Sequence, residues 1–168
     1  LPTPPTLLPS EIIERLAANP FQPFPEGWRD EGMRVGWCEA GEPFETTNTD
    51  AVVDSLLVVG MRVDKFAIPA AMVKREVKAE AKRQCALGRD RLSAKELKEL
   101  KKIITSNLRQ KLGPVAADYE LTWSFGGDGT VRLFTQSETQ ATQLIELFKS
   151  TFGMVLKPVS IDQNYAGE

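Results

Sequence analysis

The sequence predicts an α+β fold, in which an antiparallel sheet is packed with helices and a long helical hairpin projects from it. Strand-like segments, rich in apolar and β-branched residues, lie near residues 55–63 and 119–135. Two helical patterns of about 17 residues stand between these segments. The chain has 168 residues, of which 42% are hydrophobic and 26% are charged. We therefore expect a single domain over residues 1–168, with the hairpin at about 70–112 as an extension.

The elements before the hairpin are predicted to be short. Ser10 is placed to cap a helix that ends at Asn19-Pro20, because the residue before a proline disfavours the helical conformation. Residues 35–38 are expected to form a short strand. Residues 55–63, SLLVVGMRV, are predicted to form a longer one because they are apolar and partly β-branched.

The helical hairpin is predicted from the signals at its ends. A first helix, about 70–86, follows Pro69, whose fixed φ suits a helix start. Ser93 and Glu96 match the capping box S-x-x-E ahead of a second helix, about 94–112, which a Gly-Pro pair ends. About six residues join the two helices, so we expect them to pack antiparallel.

A β-hairpin, a helix and a last strand are predicted after the helical hairpin. Residues 119–125 alternate between apolar and polar, and the turn sequence GGDG connects them to a return strand at 130–135. Ser137 is expected to cap the helix that follows, with Gln140 at the capping-box position. Residues 155–159 are predicted to form a short strand.

Charge is divided unevenly along the chain. Residues 61–111 contain 15 Lys and Arg and 6 Asp and Glu, a net charge of +9. The remaining residues contain 6 Lys and Arg and 17 Asp and Glu, a net charge of −11, which gives the total of −2. A basic segment between acidic flanks indicates a polyanionic partner for the middle of the chain. The alternative is that the two parts attract each other, within one chain or between subunits.

The basic residues of the hairpin form rows. On a helical wheel, cations of the second helix fall between about 100° and 160° from Leu97, and those of the first helix between about 100° and 200° from Val73. The cations in these rows are Lys74, Arg75, Lys78, Lys82, Lys95, Lys98, Lys102 and Arg109. Rows of one sign match the repeated phosphates of a duplex, without base reading. The alternative is a solvated helix pair whose lysine stems cover apolar edges.

The residues that enzymes commonly use for chemistry are missing or wrongly spaced. The chain has no histidine, which excludes Ser-His-Asp and Cys-His nucleophile systems and removes the commonest metal ligand. Asp118, Glu120 and Asp128 stand at no recognisable metal spacing. The GGDG segment lacks the Gly-Lys-Ser/Thr and the following helix of a phosphate-binding loop. We therefore expect no enzymatic activity, catalytic residue, metal, cofactor or small-molecule substrate.

The two cysteines suit a protein of the reducing cytoplasm. Cys38 and Cys85 are expected to be unpaired thiols, with a single disulfide as the alternative.

No apolar run approaches the ~18 residues that a membrane span needs, so no membrane association is expected. Trp28, Trp37 and Trp123 could stack on bases, but packing in or near the core is the favoured interpretation.

Four stretches of the chain carry a resemblance to a known family. They are NPFQPF with VGWC (19–24 and 35–38), LLVVGMRVDKFAIPAAMVKREV (56–77), GRDRLSAKELKELKKIITSNL (88–108) and LTWSFGGDGTVRLFTQSETQATQLIELFKSTFGMVLKPVSI (121–161). In order and spacing they resemble the N-terminal half of RdgC, a family of bacterial recombination-associated proteins. The resemblance covers most of residues 10–161, and the chain is identified as a divergent or truncated member.

The resemblance implies a non-enzymatic protein that binds double-stranded DNA without sequence preference. Family members form ring-shaped homodimers around DNA and restrain RecA-dependent recombination, which implies a cytoplasmic, nucleoid-associated protein. The hairpin residues that the resemblance places at the DNA are Arg89, Arg91, Lys95, Lys98 and Lys102. Together with the rows above, the candidate DNA-binding residues are Lys74, Lys78, Lys82, Arg89, Arg91, Lys95, Lys98, Lys102 and Arg109.

Three features depart from the family pattern. The family's first strand, before the first helix, is not evident in LPTPPTLLP. Family members continue beyond the P-V strand for a further half-chain that helps to build the ring. Their loop after the second long helix carries Arg and Phe residues that help to close the ring, whereas this chain reads KLGPVAADYEL. Ring formation therefore stays open. So does a second interpretation, a protein–protein interaction module whose basic hairpin docks on an acidic partner or subunit.

Overall fold

The computed structural model describes residues 7–43, 45, 51–88 and 91–159. Within these residues the chain forms four helices and five strands. In chain order they are α1 (Pro9–Ala18), β1 (Gly32–Cys38), β2 (Val52–Val53), β3 (Leu56–Phe66), α2 (Ala70–Ala86), α3 (Ala94–Lys111), β4 (Val115–Ser124), β5 (Val131–Leu133) and α4 (Glu138–Phe152).

The strands form an antiparallel sheet. β1, β3, β4 and β5 are hydrogen-bonded in that order, and β2 pairs with β3 off this path. β5 returns along β4 after the glycine-rich turn, with Leu121 opposite Leu133 and Trp123 opposite Val131. The predicted α+β class and the predicted β-hairpin are both confirmed.

The chain divides into two compact units. The first combines the described residues of Leu1–Gln22, Arg34–Val63 and Ala117–Glu168, and the second combines those of Pro23–Met33 and Asp64–Ala116. The prediction of a single domain stays a prediction. None of the helices in the described part of the chain is long and apolar enough to cross a membrane.

The core of the first unit contains a group of aromatic residues among its aliphatic ones. Trp123 of β4 meets Phe148 and Phe152 of α4 with ring centroids 5.1 and 5.2 Å apart, in tilted and edge-on arrangements that aromatic rings prefer. Trp37 of β1 is only 1% exposed, and its indole N–H donates to Thr151 Oγ1 at 2.8 Å. Both tryptophans belong to the hydrophobic core, as the sequence predicts.

The second unit contains the helical hairpin. α2 and α3 pack against each other, and residues 87–93 join them, so the two helices run antiparallel. Val73 of α2 and Leu100 of α3 are buried. Ser93 caps α3 as predicted: its Oγ accepts from the Glu96 backbone N–H at 3.3 Å, while its own backbone N–H donates to Glu96 Oε2 at 2.8 Å. The predicted ends of α2 and the predicted start of α3 agree with the structure, whereas α3 ends at Lys111, one residue before its predicted end.

Three local predictions are wrong. Residues 155–159 form no strand, and Pro158 in this segment lacks the N–H that a ladder needs. Ser137 precedes α4, but its side chain accepts no helix N–H; its own backbone N–H donates to Thr135 Oγ1 at 3.2 Å. α1 begins at Pro9 rather than after Ser10, because a proline at the first helical position has no N–H to leave unpaired.

Candidate nucleic-acid interface

Three lysines form a row along α2. Lys74, Lys78 and Lys82 occur at every fourth position, and all three side chains are exposed. Residues four apart stack one above another on a helix, about 6 Å apart along the axis. None of the three forms an ion pair with a described residue. The row therefore presents three uncompensated positive charges over two turns.

A second row lies on α3. Lys95, Lys98 and Lys102 are exposed, whereas Arg109 is partly buried. Arg91 is also exposed and lies three residues before the helix begins. The remaining predicted residue, Arg89, lies outside the described residues.

The two rows share one face of the hairpin. At 100° per residue, the α2 lysines lie roughly 100–180° from Val73, and the α3 cations lie roughly 100–160° from Leu97 in the same rotational sense. When an antiparallel pair is viewed from one end, successive residues turn clockwise on one helix and anticlockwise on the other. Equal rotations away from the line of contact therefore bring residues of both helices to the same side of the pair. We call this side the basic face; its residues are Lys74, Lys78, Lys82, Lys95, Lys98, Lys102 and Arg109.

The opposite face of the hairpin has a different character. A groove of about 500 Å³ runs between the helices. Nine of its eleven lining residues are rotated the other way from the basic rows, and Gln84 and Leu108 lie close to the line of contact. The lining residues are Glu76, Ala79, Glu80, Arg83, Gln84, Leu100, Ile103, Ile104, Asn107, Leu108 and Lys111. This groove face combines apolar side chains with charged side chains of both signs, including Lys111, whereas the lysines of the two rows lie on the basic face.

Most carboxylates in the described part of the hairpin form hydrogen bonds or ion pairs within their own helix. Arg83 donates to both oxygens of Glu80 at 2.8 and 2.7 Å, and Gln84 donates to the same carboxylate at 3.0 Å. These hydrogen bonds lower the pKa of Glu80 to about 2. Glu99 pairs with Lys102 at 3.0 Å, but both side chains are more than half exposed, so this pair contributes little and leaves Lys102 available.

Three residues beside the α3 row were not predicted. Lys101, Thr105 and Ser106 line a surface depression of about 390 Å³ together with Lys98, Lys102 and Arg109. The signal was present, since the six positions follow the i, i+3, i+4, i+7, i+8, i+11 spacing of one helix face. Lys101 was passed over because it lies only about 40° from the apolar seam on the wheel.

The other predicted sites have structural roles. Trp37 and Trp123 are buried, and Trp28 is partly buried and stacks on Phe24 with ring centroids 5.7 Å apart. In the glycine-rich turn, the Asp128 carboxylate accepts from the Thr130 backbone N–H at 2.9 Å, which lowers the pKa of that carboxyl. In the described part of the chain, no three His, Cys, Asp or Glu side chains are grouped so that they could hold a metal ion.

Cys38 and Cys85 are not joined in a disulfide. Cys38 is buried in β1, and burial, with a smaller contribution from the charge of Asp118, raises the pKa of its thiol to about 11. A thiol with so high a pKa is a poor nucleophile at neutral pH. Cys38 therefore acts as a small apolar side chain in the core.

One comparison with known proteins gave a match. The model of a protein family described as "Putative exonuclease, RdgC" matches residues 1–166, almost the whole chain. A search of curated proteins found no match.

Proposed function

The chain belongs to the RdgC family, and from this membership and the basic face of its helical hairpin we propose that it binds double-stranded DNA without reading its sequence. The observation that carries the proposal is the arrangement of the cations. Exposed lysines of both helices lie on one side of the hairpin, away from the groove and its acidic residues. Such a surface matches the repeated negative charge of a DNA backbone.

The physical mechanism is charge neutralisation. Each lysine or arginine that contacts a phosphate releases condensed counterions, so affinity falls steeply as salt rises. Contacts to phosphates fix the position of the protein but carry no information about base sequence. The proposed phosphate-binding residues are Lys74, Lys78, Lys82, Lys95, Lys98, Lys102 and Arg109, together with Arg89 and Arg91, which lie between the two helices in the sequence. The cellular process that we propose is recombination or replication, with a link to a RecA-type recombinase and action as a homodimer.

Binding without cleavage is part of the proposal. The family description names an exonuclease, which makes DNA degradation the competing activity. The chain has no histidine, and its described residues contain no grouping of carboxylates suited to a metal ion. The proposed contact residues are cations rather than metal ligands, which supports DNA binding without cleavage.

A second candidate function is protein docking. The groove between α2 and α3 has an apolar floor, and Ile103 at its edge is 57% exposed. Under this alternative the hairpin holds a partner protein or a second copy of the chain, and DNA affinity is low. Sedimentation of the free protein together with DNA titration separates the two candidates.

The test is a fluorescence-anisotropy titration of a labelled duplex of about 30 base pairs at about 50 and 200 mM salt. We expect binding that weakens on the order of 10³-fold between the two salt concentrations, as six or more phosphate contacts require. Changing Lys95, Lys98 and Lys102 together to Glu should abolish binding. A matched variant with Arg132, Lys149 and Lys157 changed to Glu, all exposed residues outside the hairpin, should bind far better.

The proposal fails if the wild-type chain does not bind at the lower salt concentration, or if both triple variants lose binding equally. An end-labelled duplex incubated with the protein and Mg²⁺ tests cleavage in the same series. Shortening of the labelled strand would contradict binding without cleavage and support the exonuclease description.

A further inference from the structure

We propose that the outer face of α3 carries a built site for the phosphodiester groups of a nucleic-acid backbone, in which two hydroxyls and a partly buried arginine act with the lysines. This inference rests on the proposed DNA binding and deepens it, because it states which side chains bind phosphate oxygens directly. The residues of this α3 phosphate site are Lys98, Lys101, Lys102, Thr105, Ser106 and Arg109.

The geometry of α3 brings these six side chains together. They line one surface depression of about 390 Å³, which contains no carboxylate among its lining residues. From Lys98 to Arg109 the helix advances about 16 Å, which is enough to face several phosphates of one strand. The depression is therefore a local concentration of hydrogen-bond donors with four positive charges.

Thr105 and Ser106 have free hydroxyl groups. Neither side chain forms a hydrogen bond with any described residue. In α4, by contrast, Thr142, Ser150 and Thr151 all bond back to helix carbonyl oxygens at 2.8–3.0 Å. Hydroxyls in helices commonly bond back in this way. The α3 hydroxyls lie between lysines and an arginine and keep their donors available, and Ser and Thr are common phosphate-binding residues.

Arg109 provides the second observation. It is partly buried, its Nε is inaccessible and has no hydrogen-bond partner, and it forms no ion pair with a described residue. The guanidinium lines the depression without a carboxylate partner in the described part of the chain, so it can bind an arriving phosphate. The planar guanidinium binds phosphate through two parallel hydrogen bonds, which a lysine cannot reproduce.

The α2 row has no comparable arrangement. Lys74, Lys78 and Lys82 are exposed, and no hydroxyl stands between them in the sequence. We infer that the α2 row attracts the backbone through charge alone, whereas the α3 phosphate site also forms oriented hydrogen bonds. The two helices should then differ in how substitutions that preserve charge affect DNA binding.

The experiment removes hydrogen bonds without changing charge. Thr105→Ala with Ser106→Ala, and separately Arg109→Lys, are titrated with the same labelled duplex over a series of salt concentrations. We expect each to weaken binding about tenfold while the slope of log affinity against log salt stays unchanged, because the phosphate charges neutralised are the same. Thr139→Ala with Thr142→Ala on α4 and Arg132→Lys on β5 are the matched controls outside the hairpin, and both should bind as the wild type does. Thermal unfolding confirms that each variant is folded.

The outcomes separate the two proposals. Wild-type binding that is lost on charge reversal but unaffected by both charge-preserving variants would overturn the α3 phosphate site and leave the DNA-binding proposal intact. No wild-type binding would overturn both. Should Arg109→Lys fail to fold, the double alanine variant decides alone, since it leaves the partly buried arginine in place.

Discussion

At Gly36 the chain has no room for a side chain. A Cβ built on this residue of β1 would lie 2.4 Å from Phe21 Cα and 2.8 Å from the Phe21 backbone nitrogen. The approach is close because the Phe21 N–H donates to the Trp37 carbonyl at 2.8 Å, which holds the segment after α1 against β1. We expect Gly36→Ala to lower the free energy of unfolding by about 1–3 kcal/mol, since backbone atoms must move to admit the methyl group. Urea denaturation measures this loss.

Gly113 offers the matched control. A Cβ at this position meets no atom within 4 Å, and the backbone φ is one that alanine adopts without strain. Gly113→Ala should therefore leave the free energy of unfolding unchanged or raise it by up to about 1 kcal/mol, because alanine restricts the unfolded chain. Equal losses in the two variants would show that the close approach at Gly36 is not the cause.

At the scale of the secondary-structure element, the helices α3 and α4 differ in how their first turns are capped. Ser93 and Glu96 form a complete capping box at the start of α3, whereas the Ser137 side chain makes no capping bond at the start of α4. Ser93→Ala should lower the free energy of unfolding by about 1 kcal/mol, the usual cost of a lost N-cap. Ser137→Ala should change it by no more than about 0.5 kcal/mol. Chemical denaturation of both variants tests the difference, and a larger loss at Ser137 would contradict the structure.

The same two helix starts show what a sequence pattern can predict. Both match S-x-x-E/Q, yet only one forms the capping box. At α4 the Ser137 N–H is already bonded to Thr135, and Gln140 Oε1 is buried without a partner. The pattern identifies where a helix starts, because serine before an apolar stripe is a local signal. It does not identify which hydrogen bonds form, because these depend on the neighbouring chain.

The strands and the candidate site also show which features depend on local sequence and which depend on the neighbouring chain. The long strands were predictable from their apolar content, but residues 155–159 looked similar and remain unpaired, since pairing requires a partner at the right register. The lysine rows were predictable because a helix repeats every 3.6 residues. The same spacing places Thr105 and Ser106 beside the α3 row. The partial burial of Arg109 was not predictable, because burial depends on what packs around a helix.

At the scale of the whole molecule, the net charge of −2 and the sequence pI of about 5.4 conceal the basic face. Salt screens surface charges beyond about a Debye length, which is roughly 10 Å at 0.1 M salt. A bound polyanion therefore responds to the nearest charges rather than to the net charge of the chain. We therefore predict that the chain binds immobilised heparin at neutral pH although it is acidic overall. Flow-through of the wild-type protein at low salt would contradict this prediction.

Two variants with the same net charge can locate the heparin-binding surface. Changing Lys74, Lys78 and Lys82 to Glu alters the net charge as much as changing Arg132, Lys149 and Lys157 to Glu. The first variant loses cations of the basic face and should elute at distinctly lower salt than the wild type, whereas the second should elute close to it. Because both variants are equally acidic, a difference in elution can come only from where the charges lie. Equal elution would mean that total charge governs binding and that the basic face has no special part in it.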